Sequence, residues 1–169
     1  MSNYIYHANE PYPEIKVESK NPYYAELLMD DHSGIISEFS AISQYLYHSL
    51  DLGKSDTDLA NMWLKISFIE MHHLDILSQV ITLLGGKPKY RGSFSTLGQP
   101  WNGSFVYYGD NICDQLNVDL ESEYQAICNY ENHIRMIDDK YIKKIFRRII
   151  LDEQVHIIHF KEAIKKYSC

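Results

Sequence analysis

Apolar residues recur at three- and four-residue steps along most of the chain, and polar or glycine-rich punctuation divides that pattern into four long runs. Asn21-Pro22 reads as a helix start, with asparagine as cap and proline at the first helical position. Leu28, Ile35, Phe39, Ile42, Leu46 and Leu50 then keep helical spacing up to Gly53. Ser55 or Asp56 caps a second run, which carries Leu59, Trp63, Ile66, Ile69, Leu74, Leu77, Ile81 and Leu84 and stops at Gly85-Gly86. Residues 87–109 hold two prolines and four glycines and read as a loop. Asp110 opens a third helix to about Ile137, and Asp138 or Asp139 caps a fourth that runs to about Tyr167.

Four helices of roughly 27–31 residues follow, each about 40 Å long. The links within the first and second pairs are short, which forces antiparallel neighbours. The 87–109 link can reach the length of a helix at about 3.3 Å per residue. The expected fold is all-α, an antiparallel four-helix bundle over residues 21–169 with one long crossover between the second and third helices. Residues 1–20 are polar, aperiodic and broken by Pro11 and Pro13, and read as an extended arm.

The two halves repeat. Ser37-Glu38-Phe39-Ser40-Ala41-Ile42 and Ser122-Glu123-Tyr124-Gln125-Ala126-Ile127 align, and Tyr45 and His48 fall where Tyr130 and His133 fall. The second and fourth helices carry Glu70-Met71-His72-His73 and Glu153-Gln154-Val155-His156. Each helical hairpin therefore supplies one lone Glu and one Glu-x-x-His, at similar distances from its turn. In Glu-x-x-His the two side chains lie one turn apart on one face. Glu38, Glu70, Glu123 and Glu153 all fall on apolar stripes; Ile35, Ile42 and Tyr45 flank Glu38. Glu121 is the rival to Glu123, but the repeat and the stripe favour Glu123. Burying one unpaired carboxylate costs about several kcal/mol. Two divalent cations cancel four carboxylates, and His73 and His156 complete a six-residue ligand set for a dinuclear site.

At this point the chain resembles the ferritin-like di-metal carboxylate superfamily, which includes rubrerythrins, bacterioferritins and manganese catalases, over about residues 22–167. The resemblance implies Glu70 and Glu153 as bridging ligands and Glu38, Glu123, His73 and His156 as terminal ones. Such donors suit two iron or manganese ions per bundle, and zinc fits the same set. Tyr45 and Tyr130, two turns beyond the lone Glu residues, are candidate catalytic groups, since each could hydrogen-bond a ligand carboxylate or donate an electron or proton. Asp152 could hold the outer nitrogen of a ligand imidazole, whereas solvated or bundle-end positions are expected for His48 and His133. The loop aromatics Tyr90, Phe94, Trp101, Phe105, Tyr107 and Tyr108 are expected to cover the bundle flank or meet another subunit.

The departures from the pattern redirect the expected function. Rubrerythrins commonly add a glutamate one turn along the third helix, where Ala126 and Ile127 stand here, and a Cys-rich rubredoxin domain. Cys113, Cys128 and Cys169 form no C-x-x-C pair, and their odd number speaks against a disulfide scaffold and for a reducing cytoplasm. Haem is not expected, although Met71 follows Glu70 where bacterioferritins use a methionine. A storage cage is disfavoured by the short stretch after His156. The leading expectation is a rubrerythrin-like enzyme that reduces hydrogen peroxide or dioxygen with electrons from a separate protein such as a rubredoxin. Manganese catalase-like disproportionation and ferritin-like iron oxidation and storage are the alternatives, and a purely structural metal bundle is a further class.

Charge and composition fit this picture. The net charge of −7, from 16 Lys plus Arg against 23 Asp plus Glu, disfavours nucleic acid as partner. No signal peptide and no membrane span are read. A homo-oligomer, with a dimer favoured, is expected. The 8 His and 14 Tyr are explained only where the repeat claims them.

Overall fold

The computed structural model describes residues 5–169; the first four residues of the expected arm lie outside them. Among the described residues the elements are α1 (Pro22–Ser33), α2 (Glu38–Leu52), α3 (Thr57–Leu83), α4 (Ile112–Met136) and α5 (Lys140–Tyr167). A single 3-10 turn (Gly103–Phe105) lies in the crossover. The caps are polar side chains at the expected places. Asn21 Oδ1 accepts from the N–H groups of Tyr23 and Tyr24, Asp56 from Leu59, and Asp139 from Tyr141 and Ile142.

The first predicted helix is broken. Its apolar pattern runs without interruption from Leu28 to Leu50, but the chain leaves the helix at Gly34 and re-enters at Glu38. Gly34 N–H donates to the Asp30 carbonyl at 2.9 Å, and Ser37 caps α2 through the Ser40 N–H. A Cβ at Gly34 would stand 2.6 Å from the Asp30 carbonyl oxygen, so only glycine fits this stop. Ile35 consequently leaves the buried stripe and is 43 % exposed.

Helices α1 and α2 together make the first leg of a four-helix bundle. α2 packs on α3, and α4 on α5. Asn21 N–H donates to the Leu84 carbonyl at 3.1 Å, which ties the start of the first leg to the end of the antiparallel α3. The apolar core forms two clusters. One holds Leu28, Leu77, Ile81, Ile142, Phe146 and Ile149; the other holds Tyr45, Trp63, Ile66, Leu116 and Phe160. The buried Glu70 and His73 lie on α3 between Ile66 and Leu77, and the buried Glu153 and His156 on α5 between Ile149 and Phe160. Each fully buried aliphatic side chain stabilises by about 1.5–3 kcal/mol, so the two clusters offset the desolvation of the charges held between them.

The crossover lies against α2. Tyr90 stacks on Phe39 at 4.3 Å between ring centroids, Trp101 Nε1 donates to Ser40 Oγ, and Tyr107 N–H donates to Gln44 Oε1. Residues 5–20 carry no helix or strand, with Tyr6 buried in the second cluster and Tyr12, Ile15 and Val17 packed on the first. Cys113 and Cys169 are joined by a disulfide, and Cys128 is free and exposed. This corrects the reading from cysteine number: the α4–α5 hairpin brings the start of α4 beside the end of α5, a pairing that neither an odd count nor local spacing reveals. Among the described residues no helix is long and apolar enough to cross a membrane.

Candidate metal centre

Glu38, Glu70, His73, Glu123, Glu153 and His156 meet at one level between the two core clusters, and none is more than 4 % exposed. Glu38 is the first residue of α2, so the break after Gly34 sets where this carboxylate enters the bundle. The one-turn spacing on α3 and α5 aims each Glu-x-x-His inward. Two groups result, Glu38 with Glu70, His73 and Glu153, and Glu123 with Glu70, Glu153 and His156; in each, ligand atoms lie within 4.8 Å of one another.

Glu70 and Glu153 belong to both groups, and each turns one oxygen toward each imidazole. His73 Nδ1 stands 2.9 Å from Glu70 Oε2 and 3.4 Å from Glu153 Oε1. His156 Nδ1 stands 3.0 Å from Glu70 Oε1 and 3.0 Å from Glu153 Oε2. Glu38 Oε2 lies 3.4 Å from the first ring and Glu123 Oε2 3.6 Å from the second. Glu70 Oε1 is completely buried and has no hydrogen-bond partner, although His156 Nδ1 stands 3.0 Å away. An orphaned carboxylate oxygen among oxygen and nitrogen donors fits a site built to be completed by cations.

The outer ring nitrogens fix the orientation of both imidazoles. His73 Nε2 is 3.0 Å from Asp152 Oδ2, and His156 Nε2 is 3.0 Å from the Tyr6 carbonyl oxygen. A carbonyl oxygen only accepts, so His156 Nε2 carries a proton, and Nδ1, 3.0 Å from Glu153 Oε2, is the nitrogen aimed inward. Burial disfavours charge on both rings, but Glu38 and Glu153 around His73, and Glu70 and Glu123 around His156, outweigh it and hold both pKa values well above the ordinary one. Burial also holds Glu38 and Glu123 well above the ordinary carboxylate range.

Tyr45 O–H donates to Glu123 Oε1 at 2.5 Å, and Tyr130 O–H donates to Glu38 Oε1. Burial, reinforced by the carboxylates, raises both phenol pKa values, so both hydroxyls keep their protons. Two His–Asp pairs flank the centre: His48 Nδ1 lies 2.9 Å from Asp119 Oδ2, and His133 Nδ1 lies 2.6 Å from Asp31 Oδ2. His48 is thus fully buried rather than solvated, with its Nε2 2.8 Å from the Tyr107 carbonyl oxygen. A cavity of about 40 Å³ opens between α2 and α4 onto Glu38, Glu70, Glu123, Glu153 and both tyrosines, bordered by Ser37, Ala41, Ser122 and Ala126.

This geometry can be set beside known proteins. The family of manganese containing catalases matches residues 90–168. A protein of Clostridium acetobutylicum named "probable manganese catalase" is 29 % identical over 171 residues, covering 90 % of this chain and 75 % of that one. A bacterioferritin of Streptomyces coelicolor is 31 % identical over 134 residues, covering 77 % of this chain and 74 % of that protein. The crystal structure of a manganese catalase from Anabaena superposes with a TM-score of 0.85 at 22 % identity, covering 98 % of this chain and 81 % of the other. The bacterioferritin BfrA of Mycobacterium tuberculosis gives 0.73 at 26 % identity and covers 89 % of each chain. The chain belongs to the ferritin-like di-metal carboxylate superfamily.

Within that superfamily frame, sequence reading found the six clustered side chains but not everything that holds them. Glu121 is exposed and bonded to Gln125, leaving Glu123 as the inward carboxylate. Asp31, Asp119, Tyr12 and Arg148 were missed. Arg148 carried a usable signal: a cation on the buried stripe of Ile145 and Ile149, four residues before Asp152, needs an anionic partner. Tyr12 lies in an aperiodic segment that offers no phase from which to place it.

Proposed function

We propose that this protein is a dinuclear iron or manganese oxidoreductase acting on hydrogen peroxide, of the manganese catalase type. The carrying observation is that Glu70 and Glu153 each offer one oxygen to each half of a buried, pseudo-symmetric six-residue cluster. Glu70 and Glu153 would bridge two ions, Glu38 and His73 would complete one position, and Glu123 and His156 the other. The ions supply two-electron redox chemistry between them. Tyr45 and Tyr130 hold the terminal carboxylates through protonated hydroxyls, so these carboxylates stay oriented while the coordination changes. The cavity has room for about one peroxide or a few waters beside the carboxylates.

The rubrerythrin-like expectation gives way to disproportionation for two reasons. The similar proteins are named as manganese catalase and bacterioferritin. Ala126, on the cavity wall, leaves the centre without the additional carboxylate expected of a rubrerythrin. Disproportionation takes both electrons from a second peroxide, so no rubredoxin is required. The bacterioferritin likeness supports ferrous iron oxidation as the second reading.

Elemental analysis of natively purified protein, followed by peroxide assays with and without a reductant, tests the proposal. We expect two manganese or iron ions per chain and oxygen release at half the rate of peroxide loss without added reductant. Peroxide loss that requires a reductant restores the rubrerythrin-like reading. Inertness toward peroxide, with uptake of hundreds of ferrous ions, replaces both with storage.

A further inference from the structure

The clustered side chains are matched in pairs, but their outer partners are not. His73 leans on the carboxylate of Asp152, and His156 on a neutral backbone carbonyl, that of Tyr6, each at 3.0 Å. Hydrogen bonds to an ionised acceptor are roughly twice as strong as neutral ones. A carboxylate drawing on the Nε2 proton raises electron density at Nδ1 and makes that imidazole the stronger donor.

Both outer partners depend on the segment before the first helix. Tyr6 belongs to it. Asp152 is completely buried, and the segment furnishes two of its donors: Ala8 N–H reaches Oδ1 at 2.7 Å, and Tyr12 O–H reaches Oδ2. Arg148 Nη1 pairs with Oδ1 at 2.7 Å, while its Nε and Nη2 donate to the carbonyls of Glu10 and Ala8 at 2.6 and 3.0 Å. The guanidinium also lies 4.0 Å from the centre of the Tyr12 ring. On the far side, His159 Nε2 lies 3.1 Å from the Ile5 carbonyl oxygen.

We propose that residues 5–12 form a strap that positions both imidazoles and makes the two metal positions inequivalent, the one beside Glu38 and His73 holding its ion more tightly. This rests on the dinuclear reading above. Tyr12 and Asp152 are positioning residues, since they act on the outer edge of His73 and face away from the cavity.

Cobalt(II) titration of chelator-stripped protein, read by its visible absorption and by calorimetry, tests the strap. Wild-type protein binds two ions per chain in two separable steps. Asp152→Asn weakens the tighter step by about 10–100-fold and leaves the weaker one in place, so the steps draw together. Tyr12→Phe keeps the ring against Arg148, removes one hydroxyl, and moves the same step in the same direction by about 3–10-fold. Circular dichroism melts confirm that both variants fold. If both steps weaken alike, the strap is only a structural support and the proposal is overturned. Two ions bound with no change in either variant also overturn the strap but spare the dinuclear reading. Fewer than two ions on wild-type protein overturns both.

Discussion

Tyr45 and Tyr130 each cross from one hairpin to the other, and this is the residue-scale feature that makes the centre rigid. Periodicity places both tyrosines on the inward face, but it cannot say that Tyr45 of α2 serves Glu123 of α4 while Tyr130 of α4 serves Glu38 of α2. The same limit hid the partners of His48 and His133: a stripe gives a side chain's direction, and the neighbour comes from a helix elsewhere in the chain. Buried histidines also carry a prediction. His32 is almost completely buried between Ser33 Oγ at 3.0 Å and Ser78 Oγ at 2.9 Å, and burial holds its pKa at about 4. The ordinary value is about 6.5, so between these limits the unfolded chain binds the proton and the folded chain does not. Stability is therefore complete above about pH 6.5 and falls as the pH drops toward 4. At pH 5 the loss from this one group is about 2 kcal/mol. Denaturant unfolding of wild type and His32→Gln at pH 7 and pH 5 should show the wild type losing about that much more; an equal loss in both sinks the assignment.

At the scale of elements, α3, α4 and α5, the start of α1 and the end of α2 lie close to where the punctuation puts them, because residues such as Asn21, Gly53, Asp56 and Asp139 act locally through their own backbones. The break in the first leg was not legible. Leu28 and Ile35 are seven residues apart, two helical turns, so the apolar phase passes through Gly34 as though the helix continued. What the pattern does not show is how crowded the stop is: a Cβ there would lie 2.6 Å from the Asp30 carbonyl oxygen and 2.7 Å from the Ser95 hydroxyl of the crossover. The break matters for the centre because it starts α2 at Glu38 and leaves Ser37 at the cavity mouth. Gly34→Ala should accordingly destabilise by about 1–3 kcal/mol through overpacking. That corresponds to a fall in Tm of about 2–12 °C for a chain of this size, measurable by calorimetry. An unchanged Tm would mean that these neighbours give way at no cost and that the stop does not require glycine.

On the scale of the whole molecule, the repeat separates the acidic excess into two populations. Fifteen of the 23 carboxylates are exposed or half-buried; of the eight buried ones, Glu38, Glu70, Glu123 and Glu153 sit between two apolar clusters with two imidazoles as their cationic partners. A duplicated hairpin explains why this arrangement was readable from sequence: two copies of one pattern, folded back at similar heights, meet at a common level whatever the details of packing. The strap over α5 and the Cys113–Cys169 bond belong to neither copy, and the repeat is silent about both. If ions complete the centre, they couple the four helices, and loading must stabilise the entire bundle. At a hundredfold excess over Kd each ion contributes about 2.7 kcal/mol, so two should raise Tm by about 10–20 °C relative to chelator-treated protein. Glu70 serves both halves of the centre, so Glu70→Ala should abolish most of that rise, while Glu121→Ala on the solvent face of α4 should keep it. Calorimetry of the three proteins with manganese(II) and with chelator decides the matter. A rise retained in Glu70→Ala would show that the ions bind elsewhere, and the buried carboxylates would then have to be held by protons alone.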